Sequence, residues 1–169
     1  MNEAVPCAIR AAEPDDADQV AALLGELGYP DNTVDAVRRR LAVWDEARDS
    51  VALVAENAGG IVGIAAVSVV PYLERDGYWG RISALVVAES CRGQGIGRML
   101  TVAAEELARD CGCVVMEVTS DRGRIDAHAF YRSHGYEDWG DHSARFVKDL
   151  VRGATENAYA ARYPVTGMP

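Results

Sequence analysis

Apolar positions along the chain change their period several times, and those changes divide it into elements. Residues 7–10 predict a short opening strand. Glu13-Pro14-Asp15-Asp16 then predicts a helix start, because proline fits a first turn and acids suit the positive end of the helix dipole. Ala17, Val20, Ala21, Leu24 and Leu27 recur at helical spacing, and Gly28 closes the run. Val34, Val37, Leu41 and Trp44 mark a second helix, with Asp31 or Asn32 as its cap. Its other side carries Arg38, Arg39 and Arg40, a run that a solvated face accounts for. Residues 50–56 and 61–70 are apolar and β-branched. Between them, Asn57-Ala58-Gly59-Gly60 is a hairpin signal.

A polar loop follows over residues 71–77, carrying Tyr72, Glu74, Arg75 and Asp76. Residues 79–88 predict the next strand. It runs into Arg92-Gly93-Gln94-Gly95-Ile96-Gly97, from which an amphipathic helix opens: Ile96, Met99, Leu100, Ala103 and Leu107 share one face. Gly112 ends that helix. Residues 113–119 are dense in apolar side chains, as a central parallel strand would be. Ile82 to Thr119 is therefore a strand–helix–strand crossover. Ala127, Phe130, Tyr131 and His134 fall on one face of a last helix, stopped by Gly135. Residues 136–139 and 143–150 predict two closing strands around Gly140-Asp141. Beyond Arg152 the periodicity is weak. The organisation is one domain over residues 1–150 and a tail over 151–169, loosely ordered or packed on a partner subunit. The fold class is α/β, with a mixed, mostly antiparallel sheet of six or seven strands and helices on both faces.

Composition narrows the function. The 169 residues suffice for one domain with a sizeable core, and half of them are hydrophobic and a quarter charged. No run of about 18 apolar residues is present, and the opening residues MNEAVPCAIR lack the apolar stretch of a signal peptide, so a cytoplasmic, membrane-free location is expected. A net charge of −9 argues against nucleic-acid partners and is compatible with a cationic one. Four cysteines, Cys7, Cys91, Cys111 and Cys113, lack zinc or redox spacing, and three histidines pair with none of them. They are expected to be reduced, mostly buried and metal-free.

Candidate chemistry concentrates in residues 81–109. A strand, a glycine-rich turn and a helix N-terminus together make an anion site, because amides at a helix start have no intrahelical acceptor and the dipole favours negative charge. Glycine lets the backbone approach a phosphate closely. The turn is not a Walker loop, since no Lys-Ser/Thr follows. Nor is it the dinucleotide fingerprint, since only one residue separates Gly95 from Gly97.

Arg92-x-x-Gly95-x-Gly97 after a hydrophobic strand resembles the acyl-CoA-binding motif of the GNAT superfamily of N-acetyltransferases. Ala127-x-x-Phe130-Tyr131-x-x-x-Gly135-Tyr136 resembles the segment that follows the fifth strand in the same family, and the order of elements agrees over roughly residues 7–150. The resemblance implies acetyl-CoA as co-substrate, with its pyrophosphate on the amides of Arg92, Gly93, Gln94, Gly95, Ile96, Gly97 and Arg98. It implies a pantetheine arm along the backbone of Leu85, Val86 and Val87, between two parallel strands that splay apart. Asp126, read from the sequence as a helix cap, would be a further cofactor contact. Tyr131 would return a proton to the leaving thiolate.

By the same resemblance the reaction is direct attack of a primary amine, from a small molecule or peptide, on the thioester in a ternary complex. Tyr72, Glu74 and Asp76 are candidate acceptor residues, and Glu26 adds to an acidic surround. A homodimer is common in the family. One departure stands out: many members carry a glutamate base on the strand before the glycines, whereas Arg81-Ile82-Ser83-Ala84-Leu85-Val86-Val87 has no carboxylate. That departure is the best support for the alternative, a non-catalytic acyl-CoA sensor of the same fold.

Overall fold

Residues 7–143 and residue 146 are described by a computed structural model. Five strands form one sheet in sequence order: β1 (Ala8–Ala11), β2 (Ser50–Asn57), β3 (Gly60–Pro71), β4 (Tyr78–Val87) and β5 (Cys113–Val118). The first three pairings are antiparallel and β4 with β5 is parallel. Antiparallel neighbours are joined by short turns or, between β1 and β2, by a helical excursion. The parallel pair needs a crossover, which α3 (Ile96–Asp110) supplies.

Helices cover the two faces with separate cores. On one face α1 (Ala17–Leu27) and α2 (Val34–Glu46) bury Ala17, Val20, Leu23, Val37 and Leu41 against Ala52, Val54, Ile64 and Val86. On the other, Ile96, Leu100 and Ala104 of α3 pack on Leu53, Ala55, Ala65, Val67 and Ile82. Two glycines let α3 lie close to the sheet. A Cβ on Gly80 would stand 2.6 Å from Met116 Sδ and 3.1 Å from Ala108 Cβ, and one on Gly63 3.0 Å from Leu100 Cδ1. The buried Thr101 hydroxyl donates to Gly97 O at 2.9 Å, so its polarity is met within α3.

At the start of the fold Arg10 of β1 holds Asp16 through two bonds of 2.8 Å and Glu56 of β2 through a third of 2.8 Å. The Asp16 carboxylate also accepts from the Glu13 amide, which secures the turn entering α1. The Arg10 guanidinium foremost, with that amide, holds the Asp16 carboxyl below its ordinary pKa although burial opposes the shift.

The structure corrects several expectations. The described residues form five strands, not six or seven. Residues 136–139 are irregular, and Glu137, Asp138 and Trp139 are exposed there. The other expected closing strand, 143–150, lies largely outside the described residues, as does the tail. The cap of α2 is Thr33, whose hydroxyl accepts from the Ala36 amide at 3.3 Å. Asn32 instead donates to Tyr29 O at 2.8 Å. The cysteines are free but not buried: Cys111 is exposed and the other three half-buried at the margins of the sheet. Partial burial, chiefly, still raises the Cys7 and Cys113 thiols above their ordinary pKa.

The chain divides into two compact units, one running to Ile125 and one beginning at Asp126. The second contains most of α4 (Ile125–Ser133), which ends where Gly135 adopts φ 84°. Among the described residues no helix is long and apolar enough to cross a membrane.

Candidate functional site

The site begins with one surplus residue in β4. Ala84 pairs with Ala66 and Ile82 with Val67, so Ser83 has no partner on β3 and forms a bulge. A bulge shifts the side-chain alternation by one. Ile82 faces α3, and after Ser83 so do Leu85 and Val87, while Val86 faces α1 and α2. Both halves of β4 thereby keep their apolar side chains in a core.

The bulge coincides with the end of the ladder between β4 and β5. Their parallel ladder runs from Tyr78–Cys113 to Ile82–Val118 and stops there. Arg81 secures its last rung, pairing with Glu117 at 3.3 Å and donating to Thr119 Oγ1 at 3.0 Å. Beyond it, residues 83–87 are bonded to β3 on one side and face no described strand on the other. The Ala88 amide donates to Val62 O at 2.9 Å, toward β3. Alternation along the strand directs Val86 the same way and leaves the polar groups of Leu85 and Val87 on the open edge.

At the end of that edge lies the glycine turn. Gly93 and Gly95 adopt φ 74° and 83°, a left-handed backbone that other residues rarely take. A Cβ at either would meet nothing within 4 Å. Gly95 is the N-cap of α3 and offers no side chain to its amides. The first helical bond is Met99 N to Gly95 O at 3.0 Å. Among the described residues, none of the amides from Gly93 to Arg98 meets an acceptor. Such a row of bare amides at a helix start fits a diphosphate. Arg98 is exposed in the first turn and has no ion pair among the described residues.

Arg92 is placed differently. Its Nε donates to Val87 O at 3.1 Å, and an NH2 group lies 3.3 Å from Glu26 of α1. The same Glu26 oxygen accepts from the Glu89 amide at 2.8 Å. Arg92 thus faces its own loop, and Glu26, expected only to add acidity, is part of the scaffold. That pairing joins residues far apart in sequence, and no local pattern signals it.

Residues 18–136 match the signature of the Acetyltransferase (GNAT) family. The chain belongs to the GNAT acetyltransferase family. A curated relative, the aminoalkylphosphonate N-acetyltransferase of Salmonella typhimurium strain LT2, is 34% identical over 85% of this chain and 92% of its own. Among solved structures, a transcriptional regulator from Bacillus halodurans C-125 superposes with a TM-score of 0.75 at 27% identity, covering 86% of this chain and 100% of that one. A Trypanosoma brucei acetyltransferase superposes with a TM-score of 0.71 at 26% identity over 86% and 100% of the two chains.

As a GNAT-type N-acetyltransferase, the chain presents its remaining candidate residues as follows. Tyr131 is half-buried in the second unit. Its ring lies edge-on to Phe130 and Tyr136, at centroid distances of 5.3 and 5.7 Å. Asp126 is exposed in the first turn of α4, one residue inside the helix rather than at its cap. Tyr72, Glu74 and Asp76 occupy the loop between β3 and β4, where Arg75 stacks on the Tyr72 ring at 4.0 Å. That loop joins β4 at Tyr78, the opposite end from the glycines. An extended strand of this length separates its ends by about 30 Å, so the structure does not bring these three together with the turn. Among the described residues, no three His, Cys, Asp or Glu side chains gather as a metal would require.

Proposed function

We propose that this acetyltransferase uses acetyl-CoA and transfers its acetyl group to the primary amine of a small molecule or peptide, both substrates being bound at once. The row of unbonded amides from Gly93 to Arg98, set at the open end of the β4 edge, is the observation that carries this reading. The amides receive the pyrophosphate, and Arg98 adds the one cation of the first turn without a partner there. The Leu85 groups left free by β3 hold the pantetheine arm as an added strand would.

Bound in this way, acetyl-CoA supplies an activated acyl carbon. An amine attacks only as the neutral base, and an alkylammonium with a pKa of about 10.4 must first lose a proton. The open edge carries no carboxylate, so the proton leaves through ordered water. The Val87 amide, directed into the opening, stabilises the negative charge that develops on the carbonyl oxygen. Tyr131 returns a proton to the sulfur as the thiolate departs. Orientation of the two substrates provides much of the rate, since amine and thioester need alignment more than activation.

The substrate class of the Salmonella relative makes aminoalkylphosphonates the first acceptors to test. Calorimetry should show acetyl-CoA binding, and thiol release should follow addition of an amine from a panel headed by these compounds. Binding with no turnover on any amine would favour the sensor reading, for which the carboxylate-free edge speaks. No binding at all would overturn both.

A further inference from the structure

We infer that Glu26 is the positioning residue of the cofactor turn, acting through Arg92 and the Glu89 amide; this rests on the acetyl-CoA reading above. The polar groups concerned form a closed circuit. One Glu26 oxygen accepts the Glu89 N–H at 2.8 Å and faces the Arg92 guanidinium at 3.3 Å. The same guanidinium returns to the strand by donating to Val87 O at 3.1 Å. Glu26 of α1 thereby holds the segment at Glu89 and Arg92, and Arg92 closes it back onto Val87. The segment is further tied by the Ala88 amide to Val62 O of β3, by the short 3₁₀ turn at Glu89–Cys91, by a Ser90–Cys91 side-chain contact and by a 3.4 Å bond from Gln94 to Ser90 O.

This arrangement has two effects on the site. It withdraws the Arg92 charge from the concave side of the turn, so binding of a diphosphate there falls to the backbone amides and Arg98. It also leaves the glycines as the free joint. Gly93 and Gly95 have positive φ and no neighbour to pack against, so the direction of their amides depends on how the flanking residues are held, by Glu26 before them and by the buried Ile96 after them. Without the anchor, aligning the amides costs conformational entropy at the moment of binding. Glu26 also lies two residues before Gly28, where α1 ends. The carboxylate therefore ties the cofactor turn to the helix that leads into the 28–33 loop.

Acetyl-CoA affinity and steady-state kinetics of Glu26→Ala, Glu26→Gln, Arg92→Lys and the Glu26→Ala/Arg92→Lys double variant test the assignment. Glu26→Ala should raise the Kd and KM for acetyl-CoA about tenfold, with kcat at saturating acetyl-CoA and the acceptor KM within about twofold of wild type. Glu26→Gln keeps an acceptor for the Glu89 amide and should recover most of the loss. Lysine cannot span Val87 O and Glu26 together, so Arg92→Lys should resemble Glu26→Ala, and the double variant should be no worse than either single one. Wild-type affinity in both single variants would overturn the assignment. So would a loss shared equally by kcat and both KM values, in step with the melting temperature, since that is what general loosening gives. Wild-type protein is the control for the underlying reading: failure of wild type itself to bind acetyl-CoA would fault the cofactor, not the clamp.

Discussion

Tyr131 is where a single atom matters most in the proposed chemistry. Removing its hydroxyl in Tyr131→Phe keeps the ring that packs edge-on to Phe130 and Tyr136. The expected result is a kcat lower by a factor of about 10² to 10⁴, with acetyl-CoA affinity unchanged by calorimetry; an unchanged kcat would leave Tyr131 a packing residue. Gly95 is the counterpart on the binding side. In Gly95→Val a β-branched side chain must adopt φ 83° and project into the open side of the turn. Acetyl-CoA affinity should fall at least tenfold while kcat with saturating acetyl-CoA changes little, as titration and initial rates would show. Glycines such as Gly93 and Gly95 were legible in the sequence because their identity reports a backbone requirement. The role of Arg92 was not, because a guanidinium serves a phosphate or a carboxylate equally well and only the fold decides which is near.

Among the elements, β4 shows both what a pattern reveals and what it hides. Its apolar character was plain, and the three-residue gap from Ile82 to Leu85 carried the phase break that the bulge produces. Read without partners, that gap is indistinguishable from a poorly alternating strand, since register is a property of two strands. The cap of α2 was misplaced for a related reason. Asp31, Asn32 and Thr33 all suit an N-cap, and only the turn that engages Asn32 with Tyr29 O leaves the task to Thr33. The packing of α3 on the sheet yields a prediction at this scale. Gly80→Val would place a branched side chain against Met116 and Ala108. Urea unfolding should show a loss of about 1 to 3 kcal/mol, larger than for Gly25→Ala, where a Cβ meets nothing within 4 Å.

For the molecule as a whole, the order of elements through α4 followed from the succession of helical and strand periods. The number of strands did not, since the short aromatic-ended run from Tyr136 to Trp139 was read as a strand yet forms none. Stability of the whole fold toward acid should depend on the Arg10–Asp16 pair. The folded Asp16 carboxyl titrates below the unfolded value of about 3.9. Its contribution is therefore present above about pH 4 and is lost as pH falls through the lower, folded value. Asp16→Asn should melt at a lower temperature than wild type at pH 7, and the gap between the two should narrow below about pH 4. A gap that stays constant with pH would assign the effect to packing.

The surplus residue at Ser83 also sets a length. From the bulge to Val87 the unpaired margin spans four peptide steps, about 13 Å. A flexible arm bonded along it is gauged from both ends, by the bare amides beyond Val87 and by the rung at Ile82 where the gap closes. In the binding mode proposed above, arms shorter or longer than this interval would leave their reactive tip out of step with the Val87 N–H, so the sheet itself would act as a ruler for what it accepts.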